Sequence, residues 1–355
     1  MFKILAINPG ATSTKIGIYE NENPVRVDII RHEGSELARY QKSVDQYKYR
    51  KEIIEDSLKL HNFDLSSFSA VVGRGGTFKP LPGGVYEVNQ AMIDDVLEGK
   101  VQAEHVSLIG CLLAKQLADQ YGLPSFVVDP VSVDEFTDTA KISGLPELPR
   151  KSLSHALNIK MVARKYASSR GKKIQEFNLV IAHLGGGISI VPMNRGKIID
   201  ANNANDGGPM SPQRSGYLPV TGLIKLCYSE KYSQPEMIAK VIKKGGLTAH
   251  CGTDDLREII TRIEQGDQKA DLIFRAMVYQ IAKEIGAMSS VLKGNVDAII
   301  ITGGMAHQHQ LTDALSEFIS WIAPIEVFPG EDELEALVRG TLLVLRKEIE
   351  PAVYQ

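Results

Sequence analysis

Residues 2–20 read FKILAINPGATSTKIGIYE, which is an apolar run, a turn of small residues and a second apolar run. Apolar and β-branched residues favour strands, and a short turn containing proline and glycine can join two of them. The stretch therefore predicts a β-hairpin. Val25, Val27 and Ile29 then alternate with polar residues, which predicts a third antiparallel strand and hence a three-stranded meander.

The second half of the chain repeats this order. Residues 179–191 read LVIAHLGGGISIV, again a strand, a glycine turn and a strand, and residues 196–200 predict a third strand. Alignment of the two hairpins places Gly10 over Gly185. Two meanders in one chain indicate a duplicated α/β unit, with chance similarity between apolar strands as the alternative.

The rest of the pattern alternates strands with helices, as an α/β protein requires. Strands are predicted at residues 70–72, 126–128 and 298–301, and helices at residues 106–121, 154–167 and 333–348, with further helices across residues 218–293.

Length and composition restrict the class of protein. A chain of 355 residues suggests two domains. Forty basic and 43 acidic side chains give a formal charge of −3, which does not favour nucleic acid or an acidic membrane surface as a partner. No apolar run approaches the roughly 20 residues that a membrane helix needs, and residues 1–8 have the pattern of a core strand rather than of a secretory signal.

The three cysteines (Cys111, Cys227 and Cys251) share no close spacing and fit neither a disulfide framework nor a zinc site. We expect buried free thiols in a reducing compartment, and therefore a cytoplasmic protein.

Three turns rich in glycine or hydroxyl residues each follow an apolar strand: residues 8–13 (NPGATS), 184–187 (LGGG) and 302–304 (TGG). Glycine lets the backbone approach a ligand closely and aim N–H groups at phosphate oxygens. Each turn alone is also compatible with an ordinary hairpin or strand-to-helix turn, whereas all three together favour a polyphosphate site. The P-loop and Rossmann glycine patterns do not occur in the sequence.

Residues 8–15 (NPGATSTK) and 182–189 (AHLGGGIS) resemble the two signatures of the acetate and butyrate kinase family. Residues 73–76 (GRGG) and 206–216 (DGGPMSPQRSG) resemble the butyrate kinase branch in particular. That family shares its fold with actin, sugar kinases and chaperone ATPases, and the similarity covers nearly the whole chain. It implies an α/β, two-lobed actin-like ATPase fold made of duplicated ribonuclease H-like domains, with mixed sheets flanked by helices.

The resemblance implies a division into two lobes. The first lobe is expected to comprise residues 1–150 and 331–355, with the first phosphate hairpin and acid-binding residues. The second is expected to comprise residues 151–330, with the second phosphate loop and adenosine-binding residues.

The resemblance also implies roles for individual residues. Arg74 and Arg214 match the two active-site arginines, of which one contacts the acid and both face the transferred phosphoryl group. Asp129, also a catalytic residue, and Glu333 match the carboxylates associated with Mg²⁺, and His183 matches a histidine that donates to the phosphoryl group. The residues implied to bind ATP or ADP are Asn8, Gly10, Thr12, Ser13, Lys15, Gly185, Gly186, Gly187, Asp255, Arg257, Gly303 and Gly304.

Two assignments stay open at this point. Further acids crowd Glu333 within residues 331–335, so the register of the magnesium-associated carboxylate is not fixed. Lys151 stands where acetate kinases carry their first active-site histidine, so Lys151, Arg150 or no residue takes that role.

The implied activity is reversible, in-line transfer of a phosphoryl group from ATP to butyrate, with Mg²⁺, giving butyryl phosphate and ADP. A carboxylic acid is ionised at neutral pH and needs no general base, whereas a sugar hydroxyl does. The alternatives are an acetate, propionate or isobutyrate kinase, an actin- or chaperone-like ATP-dependent switch, and a sugar kinase. The family also implies a homo-oligomer, a dimer or larger.

Overall fold

The computed structural model describes residues 1–355. The strands are β1 Lys3–Pro9, β2 Ser13–Glu20, β3 Asn23–Arg31, β4 Ala70–Arg74, β5 Val85–Glu87, β6 Ser125–Val128, β7 Asn178–Leu184, β8 Ile188–Asn194, β9 Lys197–Ile198, β10 Ala298–Gly303 and β11 Ile325–Pro329. The helices are α1 Gly34–Leu37, α2 Tyr47–Leu60, α3 Gln90–Leu97, α4 Ile109–Asp119, α5 Asp138–Lys141, α6 Ala156–Ser169, α7 Val220–Cys227, α8 Gln234–Ile242, α9 Gly246–Cys251, α10 Leu256–Glu264, α11 Gln268–Val291, α12 His309–Ile319 and α13 Glu333–Leu345.

The chain forms two compact units, Met1–Asp134 with Asp332–Gln355, and Glu135–Glu331. The first unit contains a six-stranded sheet in the order β3-β2-β1-β4-β6-β5. Strands β1, β2 and β3 are antiparallel neighbours, whereas β1, β4 and β6 run parallel.

The second unit contains a five-stranded sheet in the order β9-β8-β7-β10-β11. Its first three strands form an antiparallel meander, and β7, β10 and β11 run parallel. Strand order and direction therefore match β3-β2-β1-β4-β6 of the first unit. The predicted α/β fold with two strand meanders is confirmed, and both sheets are mixed and flanked by helices.

The central strands are covered on both faces. Residues 4–7 of β1 are fully buried, as are residues 179–182 of β7 and 298–301 of β10. A strand buried on both faces has a continuous apolar sequence rather than an alternating one, which explains the runs that predicted these strands. Each unit has its own apolar core, built around these strands.

The first unit is completed by residues 332–355. Helix α13 buries Leu334, Leu337 and Val338 against β1, β4 and β6 of the sheet. Beyond it, Tyr354 donates its hydroxyl to Asp95 at 2.8 Å, and its carbonyl accepts from Asn89 at 2.7 Å. The N-terminal sheet therefore has helix α13, from the far end of the chain, as part of its core.

Some details differ from the sequence expectations. The helix expected at residues 106–121 is a 3₁₀ turn followed by α4, and residues 135–150 lie in the second unit rather than with residues 1–134. All three cysteines are free, but only Cys111 is buried, while Cys227 is exposed.

None of the helices combines the length and the apolar character of a membrane-spanning segment.

Candidate active site

In the first unit, predicted site residues lie where three parallel strands end. Ile7 of β1 pairs with Gly73 of β4, so Asn8 and Arg74 are the next residues on neighbouring strands. Asp129 follows β6, whose last residue pairs with Arg74. Ligands of open α/β sheets bind at the carboxyl ends of parallel strands, so this edge is the expected place for a site.

Glu333 joins two of these residues. One of its carboxylate oxygens accepts a hydrogen bond from the amide of Asn8, and the other forms an ion pair with Arg74. The side chains of Arg74 and Glu333 are only 19% and 21% exposed, so solvent screens the pair partially. The strand ends and the first turn of α13 therefore form one polar cluster.

The neighbouring acids have other partners. Asp332 caps α13 by accepting from the backbone N–H of Glu335, whose own side chain pairs with Arg339 at 2.6 Å. Glu331 belongs to the second unit, 3.2 Å from His183. Glu333 contacts Asn8 and Arg74, two predicted site residues of the first unit.

Asp129 is held in an unusual backbone conformation. It is 1% exposed and has a backbone φ of 36°. Residues other than glycine, asparagine and aspartate rarely adopt a positive φ. Its N–H donates to the carbonyl of Gly84 at 2.8 Å, and one carboxylate oxygen accepts from the N–H of Gly84 at 2.8 Å. This reciprocal pair fixes the carboxylate at the strand end.

The turn between β1 and β2 closes with a hydrogen bond from the N–H of Gly10 to the carbonyl of Ser13, at 2.7 Å. Thr12 is exposed at its tip. Lys15 lies directly opposite Asn8 in the hairpin, so both side chains project from the same face of the sheet. The turn thus presents hydroxyl, amide and ammonium groups together.

In the second unit, His183 lies near the end of β7, paired with Thr302 of β10. The histidine is 1% exposed, and its Nδ1 lies 2.9 Å from the amide oxygen of Asn158. An oxygen can only accept, so Nδ1 carries a proton and Nε2 faces Glu331 at 3.2 Å. The ring also stacks on His155, with centroids 4.0 Å apart.

Arg214 packs against the glycine loop of residues 184–187. A Cβ atom at Gly187 would collide with the guanidinium group, so a larger residue there would displace the arginine side chain. Burial lowers the pKa of Arg214, and its Nε is buried without a hydrogen bond. The hydroxyl of Ser211 donates to the carbonyl of Gly186 at 2.7 Å, which ties the arginine loop to the glycine loop.

A cavity of about 560 Å³ opens beside these loops in the second unit. Its lining includes Gly185, Gly186, Gln213, Asp255, Arg257 and Gly304. Asp255 caps α10, and hydrogen bonding to Arg257 lowers its pKa to about 2, so the carboxylate is charged at neutral pH. Gly303 adopts a φ of 93° where its backbone meets Leu184, which turns the chain from β10 towards this cavity.

The chain is similar in sequence to known proteins. The Acetokinase family profile matches residues 148–318. A protein of Clostridium botulinum (strain Alaska E43 / Type E3) named "Probable butyrate kinase" is 47% identical over 354 residues, which cover 99% of each chain. "Probable butyrate kinase 2" of Caldanaerobacter subterraneus subsp. tengcongensis is 48% identical over 354 residues, which cover 100% of each chain.

The chain belongs to the acetokinase family. The crystal structure of Porphyromonas gingivalis acetate kinase superposes with a TM-score of 0.79 over 97% of this chain and 100% of that one, at 18% identity. At that identity the superposition shows a shared fold, which is the actin-like ATPase fold predicted from the sequence.

The second unit has another cavity, of about 750 Å³, and Arg150 and Lys151 are among the residues that line it. Arg150 forms an ion pair with Asp200 at 2.7 Å and donates to the carbonyl groups of Ala140 and Ala201. Arg150 therefore holds its own loop in place, whereas Lys151 is exposed at the cavity wall.

Several contacts of the site were not predicted from the sequence. Asn158 holds His183 and also accepts from Thr302 at 3.3 Å, and Gln213 donates to Asp254 at 2.8 Å. The position of Asn158 between Leu157 and Ile159 in α6 was a signal, because a buried amide needs hydrogen-bond partners.

Proposed function

We propose that this acetokinase-family protein transfers a phosphoryl group from ATP to a short-chain carboxylate, with butyrate as the substrate. The observation that carries the proposal is the full-length identity of 47–48% to proteins named probable butyrate kinases. The predicted motif residues add support, because they lie together at strand ends within each unit.

In the proposed reaction, a carboxylate oxygen of butyrate attacks the γ-phosphorus of ATP, and the bond to the bridging oxygen of ADP breaks. No proton has to move, because the acid is already ionised. The protein has to stabilise charge on the phosphoryl oxygens, which cations and N–H groups do well. We assign this role to Arg74, Arg214 and His183, with Arg74 also contacting the acid.

The paired state of the carboxylates supports an acid rather than a sugar as acceptor. Glu333 is paired with Arg74, Asp255 with Arg257, and Asp129 with the N–H of Gly84. A sugar kinase needs a carboxylate that accepts a proton from the substrate hydroxyl. All three carboxylates already accept hydrogen bonds within their own units, which leaves them less capacity to accept that proton.

The proposed cofactors are ATP or ADP and Mg²⁺. No cluster of three or more histidine, cysteine or acidic side chains is arranged to hold a metal alone. This fits Mg²⁺, which is commonly held by substrate phosphates with one or two carboxylates. We propose Asp129 and Glu333 as those carboxylates. The bound ion would neutralise charge on the β- and γ-phosphates.

The proposed function is tested by ADP release across acetate, propionate, butyrate, isobutyrate and valerate with Mg-ATP. We expect the highest kcat/KM with butyrate. Each buried CH₂ contributes only about 0.8 kcal/mol, so the preference over a neighbouring acid should be about fourfold. If acetate, propionate or isobutyrate gives the highest activity, that acid rather than butyrate is the substrate. ATP hydrolysis at the full rate without any acid would instead indicate an ATP-dependent switch. Hexoses and glycerol in the same assay test the sugar kinase.

We also propose a homo-oligomer. Helix α7 has no buried residue although its sequence is largely apolar, and Val220 and Ile224 are 67% and 52% exposed. Exposed apolar faces of this kind usually lie at protein interfaces. Sedimentation velocity should give a mass of at least two chains, and Ile224→Glu should lower it. A purely monomeric wild-type protein would contradict the proposal.

A further inference from the structure

Arg50 is an arginine without any exposed surface, and it belongs to none of the motifs described above. It lies on α2, on the face that also buries Ile54 and Leu58, and is the largest fully buried side chain of the protein. Burying a guanidinium group is costly unless its donors are satisfied, so its partners indicate what it does.

Its partners are the carbonyl groups of the β1–β2 turn. The guanidinium group donates to the carbonyls of Gly10, Ala11 and Ser13 at 2.9, 3.3 and 3.1 Å. The carbonyl of Thr12 accepts from the backbone N–H of His32 at 3.0 Å. Four consecutive carbonyl groups therefore face the interior of the unit, three of them towards one arginine.

The direction of these carbonyls determines where the N–H groups point. In a planar trans peptide, the carbonyl of one residue and the N–H of the next point in opposite directions. The N–H groups of Ala11 and Thr12 are consequently turned away from Arg50. Both residues are exposed, and neither N–H has an acceptor within the chain. Successive outward N–H groups form an anion-binding concavity.

Arg50 also supplies a charge that no carboxylate balances. Its remaining bonds go to the amide oxygen of Gln46 and the hydroxyl of Thr14, so all six acceptor contacts are neutral. Burial lowers the pKa of Arg50 to about 10, which still leaves it protonated at neutral pH.

His32 is a second titratable group in this hydrogen-bond network. The hydroxyl of Thr14 accepts from Arg50 and forms a second hydrogen bond with Nε2 of His32, 2.8 Å away. Burial, and then the charge of Arg50, lower the pKa of His32 to about 4, so this ring is neutral at pH 7.

We infer that Arg50 is a positioning residue for nucleotide binding: it holds the β1–β2 turn with its N–H groups outward and places a positive charge behind them for a phosphate group. The inference rests on the proposed function in that it takes the phosphates of ATP or ADP as the anion. Arg50 acts through the turn and does not touch the nucleotide.

The test compares ligands with and without phosphates. Isothermal titration should give dissociation constants for ADP and for adenosine with wild-type protein, Arg50→Gln and Arg50→Lys. We expect Arg50→Gln to weaken ADP binding about 10- to 100-fold, because it removes the charge and most of the hydrogen bonds. Arg50→Lys, which keeps the charge, should weaken it less. Adenosine binding should change by less than about threefold, because adenosine carries no phosphate.

Ile54→Ala is the matched control, because it removes packing from the same face of α2 and leaves the turn's hydrogen bonds in place. It should destabilise the fold, as large-to-small core changes do, and leave the ratio of ADP to adenosine affinity unchanged. Three results would overturn the inference. Arg50→Gln could weaken the binding of ADP and adenosine equally, or it could leave ADP binding unchanged. The wild-type protein could also bind ADP no more tightly than adenosine. Failure to phosphorylate any acid would overturn the proposed function separately, since these titrations do not depend on turnover.

Discussion

Arg214→Ala should lower kcat for butyrate phosphorylation more than a hundredfold. Loss of a single donor that stabilises developing charge costs about 10²–10³ in rate, and the guanidinium group carries a full charge. The same change should not destabilise the protein. Nε of Arg214 is buried without a hydrogen bond, and burial lowers the pKa of the group, so the side chain is costly to bury. We therefore expect kcat to fall while the free energy of unfolding, measured by urea denaturation, stays the same or rises.

Arg275→Ala is the matched control in the same unit. Arg275 is exposed and pairs with Asp271 within α11, so its loss should leave turnover within about twofold. Activity of Arg214→Ala near that of the wild type would remove Arg214 from the active site. A large loss of stability in Arg214→Ala would show that its burial next to Gly187 stabilises the fold.

Arg74→Ala should also lower kcat more than a hundredfold, but with a cost in stability. Its ion pair with Glu333 is about four-fifths buried on both sides, and removal of one partner leaves the other charge poorly compensated. We expect a loss of about 1–3 kcal/mol in the free energy of unfolding.

The double variant Arg74→Ala/Glu333→Gln separates these two effects. Stability should recover, because the unpaired carboxylate is gone, whereas turnover should stay low. Arg39→Ala, at an exposed arginine of the same unit, is the control for both measurements. Recovery of turnover in the double variant would mean that Arg74 serves only to neutralise Glu333.

The parts of the fold that could be predicted are those whose sequence pattern reflects local burial. Buried strands such as β1 and β7 gave continuous apolar runs. The short edge strand β5 was not predicted. Strand β5 has three residues, and its assignment depends on pairing with β6 rather than on its own sequence.

The candidate site shows the same limit. The resemblance favoured Glu333 but left the choice open among four acids, and only the structure shows how their contacts differ: Asp332 and Glu335 are engaged at the start of α13. Arg50 was missed although a signal existed. It is four residues before Ile54, on the apolar face of α2, and a charged residue at such a position has to find partners through tertiary contacts that sequence periodicity does not specify.

The contribution of residues 332–355 to the first unit has a consequence for biosynthesis. Helix α13 packs on β1, β4 and β6, yet the ribosome makes it only after the whole of Glu135–Glu331. The nascent N-terminal sheet therefore lacks one of its covering layers while the second unit already has all of its own residues. During translation, the unit that begins first is the one that finishes last, so its apolar strands stay partly uncovered in the interval.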